Sequence, residues 1–114
     1  MGFRAHVHRK HFIEYDDGQF NHQIDELEEF LRGADAHIHI VEDNDGVEDW
    51  ELRVEDLKRI VNNLEDTTED LATEASPIEG WTTQELVDTL TRWINISSNP
   101  ENNCNPDYVY ISWF

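Results

Sequence analysis

Two pairs of histidines have the residue type and spacing that could bind a metal ion. His6 and His8 form one pair, and His37 and His39 form the other. Residues two apart on a β-strand share a face, so each pair can present two imidazoles together. If the two strands are neighbours, four imidazoles would offer a site for zinc or another borderline metal. No C-x-x-C or H-E-x-x-H spacing supports such a site, so we expect exposed strand histidines and no cofactor.

The other patterns that could do chemistry are weak. Asp43, Asp45 and Gly46 are residue types found in the calcium-binding loop of an EF-hand. If Gly46 were its sixth residue, however, Val41 and Leu52 would occupy the first and twelfth positions, where acids are required. Cys104, the single cysteine, lies among asparagines and is interpreted as incidental. No glycine-rich phosphate loop and no G-x-S-x-G motif occurs, and the acids are too numerous for a catalytic pair to stand out. We therefore expect no enzymatic activity.

Residues 42–56 are the most charged window, with eight carboxylates against one arginine. An Asp-Gly pair at positions 45–46 predicts a tight turn. After it, Trp50, Leu52 and Val54 alternate with charged residues, which is the period of a half-buried strand. The apolar run at residues 38–41 supplies a partner strand. The window is therefore interpreted as an acidic hairpin displayed on a folded body.

We predict that this hairpin, with the helix start that follows it, is the partner-binding surface. Its acids surround a turn that would project them from the body of the protein. Trp50 would be a binding anchor if it is partly exposed; the alternative is a strand residue packed on the second helix. The predicted site consists of Glu42, Asp43, Asp45, Glu48, Asp49, Trp50, Glu51, Glu55 and Asp56.

Negative charge dominates the composition. The 114 residues include 26 Asp and Glu against eight Lys and Arg, a formal net charge of −18. Such a surface argues against nucleic acid or an anionic membrane as direct partners, since both require cations. No apolar run approaches the roughly 20 residues of a membrane span, and the start does not have the pattern of a signal peptide. With one cysteine, which allows no internal disulfide, we expect a cytoplasmic protein.

The first third of the chain predicts strands followed by a helix. Alternation over residues 3–7 predicts a strand, and residues 12–15 either continue it or fold back as a second one. Turn-forming residues at 16–18 are expected to end this part. A helix is expected from about His22 to Arg32, with Asn21 as its N-cap and Gly33 as its C-terminal stop. Its outer face adds acids to the surface, namely Asp25, Glu26, Glu28 and Glu29.

The rest of the chain predicts a single α+β domain over residues 1–114. A strand at 37–41 leads into the hairpin, and a second helix begins near Val54 or Glu55. Residues 65–74 form either a short solvated helix or a loop. Residues 82–85 have the spacing of a capping box and open a third helix, and residues 108–114, apolar on both faces, are expected inside a sheet. We expect a mostly antiparallel sheet of four or five strands with about three helices packed against it.

In charge and size the chain resembles the small acidic inhibitors that phages make against host defence, such as DNA-mimic anti-restriction proteins, anti-CRISPR proteins and uracil-DNA glycosylase inhibitors. Residues 42–56, residues 65–74 and the acids of the first helix carry the resemblance; the cationic start, with Arg4, Arg9 and Lys10, departs from it. Duplex DNA carries about one negative charge per 1.7 Å of axis. The resemblance implies a viral inhibitor that binds a basic nuclease or defence effector in the host cytoplasm.

Two other functions fit the same composition. An immunity protein that neutralises a basic nuclease toxin would have the same acidic surface, and a toxin gene alongside would distinguish it. A halophile-adapted housekeeping domain would also be acidic, and the presence of only two lysines, Lys10 and Lys58, suits it. The clustering of the acids and the many large apolar side chains argue against the halophile interpretation.

Overall fold

The computed structural model of this protein describes residues 5–9, 13–20, 22–42, 48–102 and 104–113, with the backbone alone at 6–9, 13–19 and 42. In chain order the elements are β1 (Ala5–Arg9), β2 (Ile13–Gln19), α1 (Ile24–Gly33), β3 (Ile38–Glu42), β4 (Glu48–Arg53), α2 (Val54–Thr67), α3 (Thr83–Ser98) and β5 (Tyr108–Trp113). A single turn of 3-10 helix, Pro100–Asn102, precedes β5. The predicted α+β class with three helices is confirmed.

The strands form one sheet in the order β2-β1-β5-β4-β3, and the described pairs are all antiparallel. The last strand, β5, therefore lies in the centre of the sheet. Its side chains alternate between buried and half-buried along its whole length. The expectation that residues 108–114 lie inside a sheet is confirmed for the described residues 108–113. Only one face of β5 is fully buried, because the helices pack on that face.

Residues 16–18 lie inside β2 and do not end a strand, which corrects the expected turn. Val7 pairs with Asp16 while Ala5 pairs with Gln19, so three steps along β2 lie opposite two steps along β1. A shift of one residue is the mark of a β-bulge, where glycine is well tolerated. Of the two alternatives for residues 12–15, the described part folds back as a second strand, since β2 runs antiparallel to β1.

The three helices and the inner face of the sheet share one hydrophobic core. Trp50 and Trp113 meet edge to face, with ring centroids 5.0 Å apart. Phe20 contacts two further indoles: Trp81 is stacked on it at 4.3 Å, and Trp93 meets it edge-on at 5.6 Å. Such aromatic pairs add to the burial of their large apolar area. Other core residues are Leu27, Leu31, Ile38, Leu52, Leu57, Ile60, Leu86, Leu90, Val109 and Ile111.

Helix α1 ends in a Schellman motif. The Ala36 N–H donates to the Leu31 carbonyl at 2.9 Å, and the Asp35 N–H donates to the Arg32 carbonyl at 3.1 Å. Asp35 has a φ of 62°, the left-handed conformation that this motif requires after the C-cap. The helix thus ends at the expected Gly33. The left-handed position that usually favours glycine lies two residues later and is occupied by Asp35.

The starts of the helices agree better with expectation. Both bonds of the predicted capping box are present: Glu85 N–H donates to the Thr82 hydroxyl at 3.2 Å, and Thr82 N–H donates to the Glu85 carboxylate at 2.9 Å. Helix α2 begins at Val54, as predicted. Helix α1 begins at Ile24, slightly later than predicted, and its expected cap, Asn21, lies outside the described residues.

Residues 65–74 divide between the two predicted alternatives. Helix α2 continues to Thr67, and a loop follows. Two backbone hydrogen bonds of 2.8 Å fasten this loop to the start of α3, from Thr83 to Glu74 and from Gln84 to Leu71. The acids of the loop are thus held on an ordered backbone. Among the helices of the described residues, none is sufficiently long and apolar to cross a membrane.

Candidate protein-binding surface

The predicted acidic hairpin consists of β3 and β4. The two strands pair in regular antiparallel register, from Ile38 opposite Leu52 to Glu42 opposite Glu48. Residues 43–47 between them, where a turn with Asp43 and Asp45 was predicted, lie outside the described residues, and so does the side chain of Glu42. The location of these three predicted site residues at the partner surface stays a prediction.

The described acids of β4 point to opposite faces of the sheet, because successive strand residues alternate. A carboxylate oxygen of Glu48 accepts a hydrogen bond of 3.1 Å from the indole N–H of Trp50, on the side of the core. Asp49 and Glu51 project from the other face and are half-buried. The hairpin acids therefore do not form one continuous surface.

Two residues of the predicted site are structural. Trp50 has no exposed surface, so its assignment as an exposed anchor is wrong and the alternative, a core residue, is correct. Asp56 is 6% exposed. Its carboxylate accepts hydrogen bonds from the His37 N–H and from the Arg59 guanidinium, each at 3.1 Å. It therefore joins α2 to the segment before β3, whereas Glu55 beside it is exposed.

The side chains of β3, β4 and β5 that point away from the helices form what we call the open face. The register places them in three rows across the strands: Val41, Asp49 and Ser112 in the first, His39, Glu51 and Tyr110 in the second, and Arg53 and Tyr108 in the third. They are exposed or half-buried, in contrast to the inner face. Val41, at 46%, is the exposed large hydrophobic residue of the described chain.

Polar contacts order the first two rows of the open face. The Ser112 hydroxyl donates to the Asp49 carboxylate at 2.6 Å. In the second row, His39 Nδ1 lies 3.7 Å from a carboxylate oxygen of Glu51. The rings of Tyr108 and Tyr110 follow each other along β5, with centroids 6.4 Å apart and planes tilted by 31°. The face thus combines a hydrogen-bonded carboxylate, Asp49, and a second carboxylate beside His39, Glu51, with a pair of aromatic rings.

The pKa of the Tyr110 phenol is raised above its ordinary value. Partial burial is the largest cause and raises the pKa of its phenol, and the neighbouring Glu51 carboxylate raises it further, whereas a hydrogen bond with the Asn105 side chain acts in the opposite direction. Both main causes disfavour the phenolate: burial removes its hydration, and Glu51 places another negative charge beside it. Tyr110 consequently keeps its proton and remains a neutral aromatic group at physiological pH.

Cations collect at the third-row end of the open face. A cleft of about 400 Å³ lies there between β4, α2 and the segment before β5. A backbone hydrogen bond of 2.9 Å from the Val54 N–H to the Asp107 carbonyl joins two of its lining residues. The lining includes two cations, Arg53 and Lys58, together with Glu55 and Tyr108. This end of the molecule therefore has mixed charge, in contrast to the Asp49 and Glu51 rows.

The condition for a four-histidine metal site is not met. Strands β1 and β3 are separated in the sheet by β5 and β4, a distance of about 14 Å at roughly 4.8 Å per strand. The backbones of His8 and His39 belong to the same row across the sheet, but they are not neighbours. No group of three or more His, Cys, Asp or Glu side chains in the described residues is arranged to hold a metal ion.

The tyrosines and the serine of β5 were missed as site residues at the level of sequence. The signal was present in Tyr108-Val109-Tyr110-Ile111-Ser112-Trp113, where hydroxyl-bearing residues occupy every second position.

Comparison with known proteins gives no further assignment: no protein-family model, no curated protein and no solved structure matches this chain.

Proposed function

We propose that this protein is a non-enzymatic inhibitor that binds stoichiometrically to the basic nucleic-acid-binding surface of a nuclease, defence effector or other DNA-processing protein. The observation that supports this function is the exposure of its carboxylates. Of the twenty acidic side chains that the structure describes, fourteen are exposed, five are half-buried and one is buried. Most of the negative charge therefore lies on the solvent-exposed surface.

Few of these acids are neutralised by the protein itself. Within the described residues, two arginine–carboxylate pairs occur, Arg32 with Glu28 at 2.9 Å and Arg59 with Asp56 at 3.1 Å. The first is an exposed pair within α1, and such pairs contribute little to stability. Carboxylates at this density repel one another, and a cationic partner that covers them would relieve that repulsion.

The exposed acids lie on the helices and the loops, whereas the described acids of the hairpin strands are half-buried. The outer side of α1 carries Asp25 and Glu29, and the start of α3 carries Glu85 and Asp88. The end of α2 and the loop fastened to α3 add five more, namely Glu65, Asp66, Glu69, Asp70 and Glu74. Folded carboxylates of this density attract a basic groove, increase association rates and exclude partners of the same sign.

A binding panel tests this function. Purified DNA-binding defence effectors, a uracil-DNA glycosylase and a colicin-type nuclease toxin are each titrated with the protein while their binding to a labelled duplex is measured. We expect loss of duplex binding with an equivalence point at a fixed molar ratio, and a weaker effect at high salt. The toxin distinguishes an immunity protein from a phage-type inhibitor. Absence of inhibition across the panel, or turnover of a substrate by the protein, would contradict the proposal.

Charge reversal then locates the surface. Replacing Asp43, Asp45, Glu48 and Asp49 by lysine should slow association with the inhibited protein by about tenfold or more. Reversal of Glu69, Asp70 and Glu74, on the loop before α3, is the control set and should have a smaller effect. If the control set abolished binding while the hairpin set did not, the interface would lie on the helix layer.

A further inference from the structure

We infer that the open face of the sheet is the part of this protein that contacts its partner, and that it recognises arginine side chains presented by that partner. The inference rests on the proposed function for the basic nature of the partner. It goes beyond that function in naming the surface, the residues and the cation that they select.

The first argument is the partial exposure of a central strand on the face away from the helices. β5 lies between β1 and β4, yet its outward residues Tyr108, Tyr110 and Ser112 keep part of their surface exposed, while its inward residues are buried. The helices contribute their apolar residues to the single core on the inner face. Two tyrosines and Val41 thus remain in contact with solvent, and aromatic residues of this kind are enriched in protein interfaces.

The second argument is the charge of the first two rows of the open face, where Asp49 and Glu51 lie away from Arg53 in the third row. Asp49 and Glu51 each occupy the middle strand of a row. A second copy of the chain would bring the same carboxylates towards each other and would carry a charge of −18 of its own. Juxtaposition of like charges costs several kcal/mol at an interface. The complementary occupant is therefore a cationic protein surface.

The third argument separates arginine from lysine. Tyr110 is directly opposite Glu51 in the register of β4 and β5. The Cα atoms of the two residues are therefore about 5 Å apart, and the ring and the carboxylate project from the same face. A planar guanidinium can stack on an aromatic ring while it donates two hydrogen bonds to a carboxylate. An ammonium group is a point charge and cannot satisfy both geometries equally well. The second row of the open face therefore favours arginine.

Nuclear magnetic resonance titrations with two short peptides test this inference on the intact chain. The probes are acetyl-tetra-arginine-amide and acetyl-tetra-lysine-amide, which carry equal charge. We expect amide shift changes concentrated at residues 49–51 and 108–112, and arginine-peptide affinity at least threefold above lysine-peptide affinity. Tyr110→Leu, which keeps an apolar side chain but removes the ring, should bring the ratio close to one. Equal affinities for the two peptides in the unaltered protein would overturn the inference.

A charge-matched pair of double variants provides the control. Asp49→Asn with Glu51→Gln should weaken arginine-peptide binding by about tenfold, because both carboxylates of the open face are lost. Glu69→Gln with Asp70→Asn removes the same charge from the loop and should change the affinity less than twofold. Shift changes that map to α1 or to residues 65–74, or equal effects of the two double variants, would overturn the inference.

The same variants distinguish this inference from the proposed function. If the Asp49 and Glu51 double variant still inhibits a DNA-binding protein as strongly as the unaltered chain, the inference is wrong and the inhibitor function stands. If the arginine peptide binds the open face but no DNA-binding protein is inhibited, the function is wrong and the inference stands. Thermal unfolding of each variant confirms that it is folded during the measurement.

Discussion

The Ser112 hydroxyl lies 2.6 Å from the Asp49 carboxylate and joins β5 to β4 across the open face. A short hydrogen bond to an ionised group fixes the orientation of that carboxylate. We expect Ser112→Ala to reduce the free energy of unfolding by about 1 kcal/mol, measured by urea denaturation. Ser112→Thr keeps the hydroxyl on a β-branched residue and should retain most of the stability. Equal losses in the two variants would show that packing, and not this bond, is responsible.

Asp56 provides a second prediction, on the division between structural and surface acids. Its carboxylate is buried and accepts bonds from the backbone before β3 and from Arg59. We expect Asp56→Ala to lower the free energy of unfolding by about 1–3 kcal/mol, because the His37 N–H and the guanidinium lose their acceptor. Glu55→Ala, one residue earlier and exposed, should change it by less than about 0.5 kcal/mol. Similar values for the two variants would contradict the structural role of Asp56.

The left-handed residue after α1 provides a third prediction. Asp35 is exposed with φ at 62°, a conformation in which a Cβ atom costs roughly 1 kcal/mol. Asp35→Gly should therefore increase the midpoint of thermal unfolding. Asp35→Ala removes the same charge but keeps the Cβ atom, so the glycine variant should exceed it by about 1 kcal/mol in stability. An alanine variant as stable as the glycine variant would mean that charge relief, and not backbone conformation, is the cause.

Tyr110 provides a fourth prediction, for alkaline pH. Its pKa is raised in the folded protein by burial and by Glu51, so the folded state holds the phenolic proton more tightly than the unfolded chain does. The resulting stabilisation is fully present below the pKa of the unfolded chain. It is lost as the pH rises through the pKa of the folded protein. We expect unfolding free energy to fall above about pH 10, and Tyr110→Phe to fall less steeply. Parallel pH profiles would contradict this.

Local sequence rules predicted the parts of this fold that depend on local contacts. The capping box of Thr82 and Glu85 and the start of α2 at Val54 are each decided within one turn of helix. The end of α1 shows the limit of such rules, since Gly33 was the better candidate by residue type. Asp35 takes the left-handed conformation instead, because the motif depends on where the helical hydrogen bonds end.

The candidate site depended on information that local patterns do not contain. Whether His8 meets His39 is decided by the strand order, and β5, the last strand in the chain, is the one that separates β1 from β4. Whether Tyr110 is covered is decided by the side of the sheet on which the helices pack. Both are long-range properties. The alternation of apolar and polar residues predicted that the sheet has two different faces. It did not predict that all three helices pack on the same face.

The tryptophans of this protein are spectroscopic probes of its tertiary packing. Trp50 and Trp113 contact each other in the core, and Trp81 and Trp93 contact Phe20 from two sides. Indoles held in fixed asymmetric surroundings give a near-ultraviolet circular dichroism signal that is lost when side-chain packing is lost, even where helices and strands persist. None of the four tryptophans belongs to the open face. A variant of Asp49, Glu51 or Tyr110 that keeps this spectrum has an intact interior, and its loss of affinity can be assigned to the surface alone.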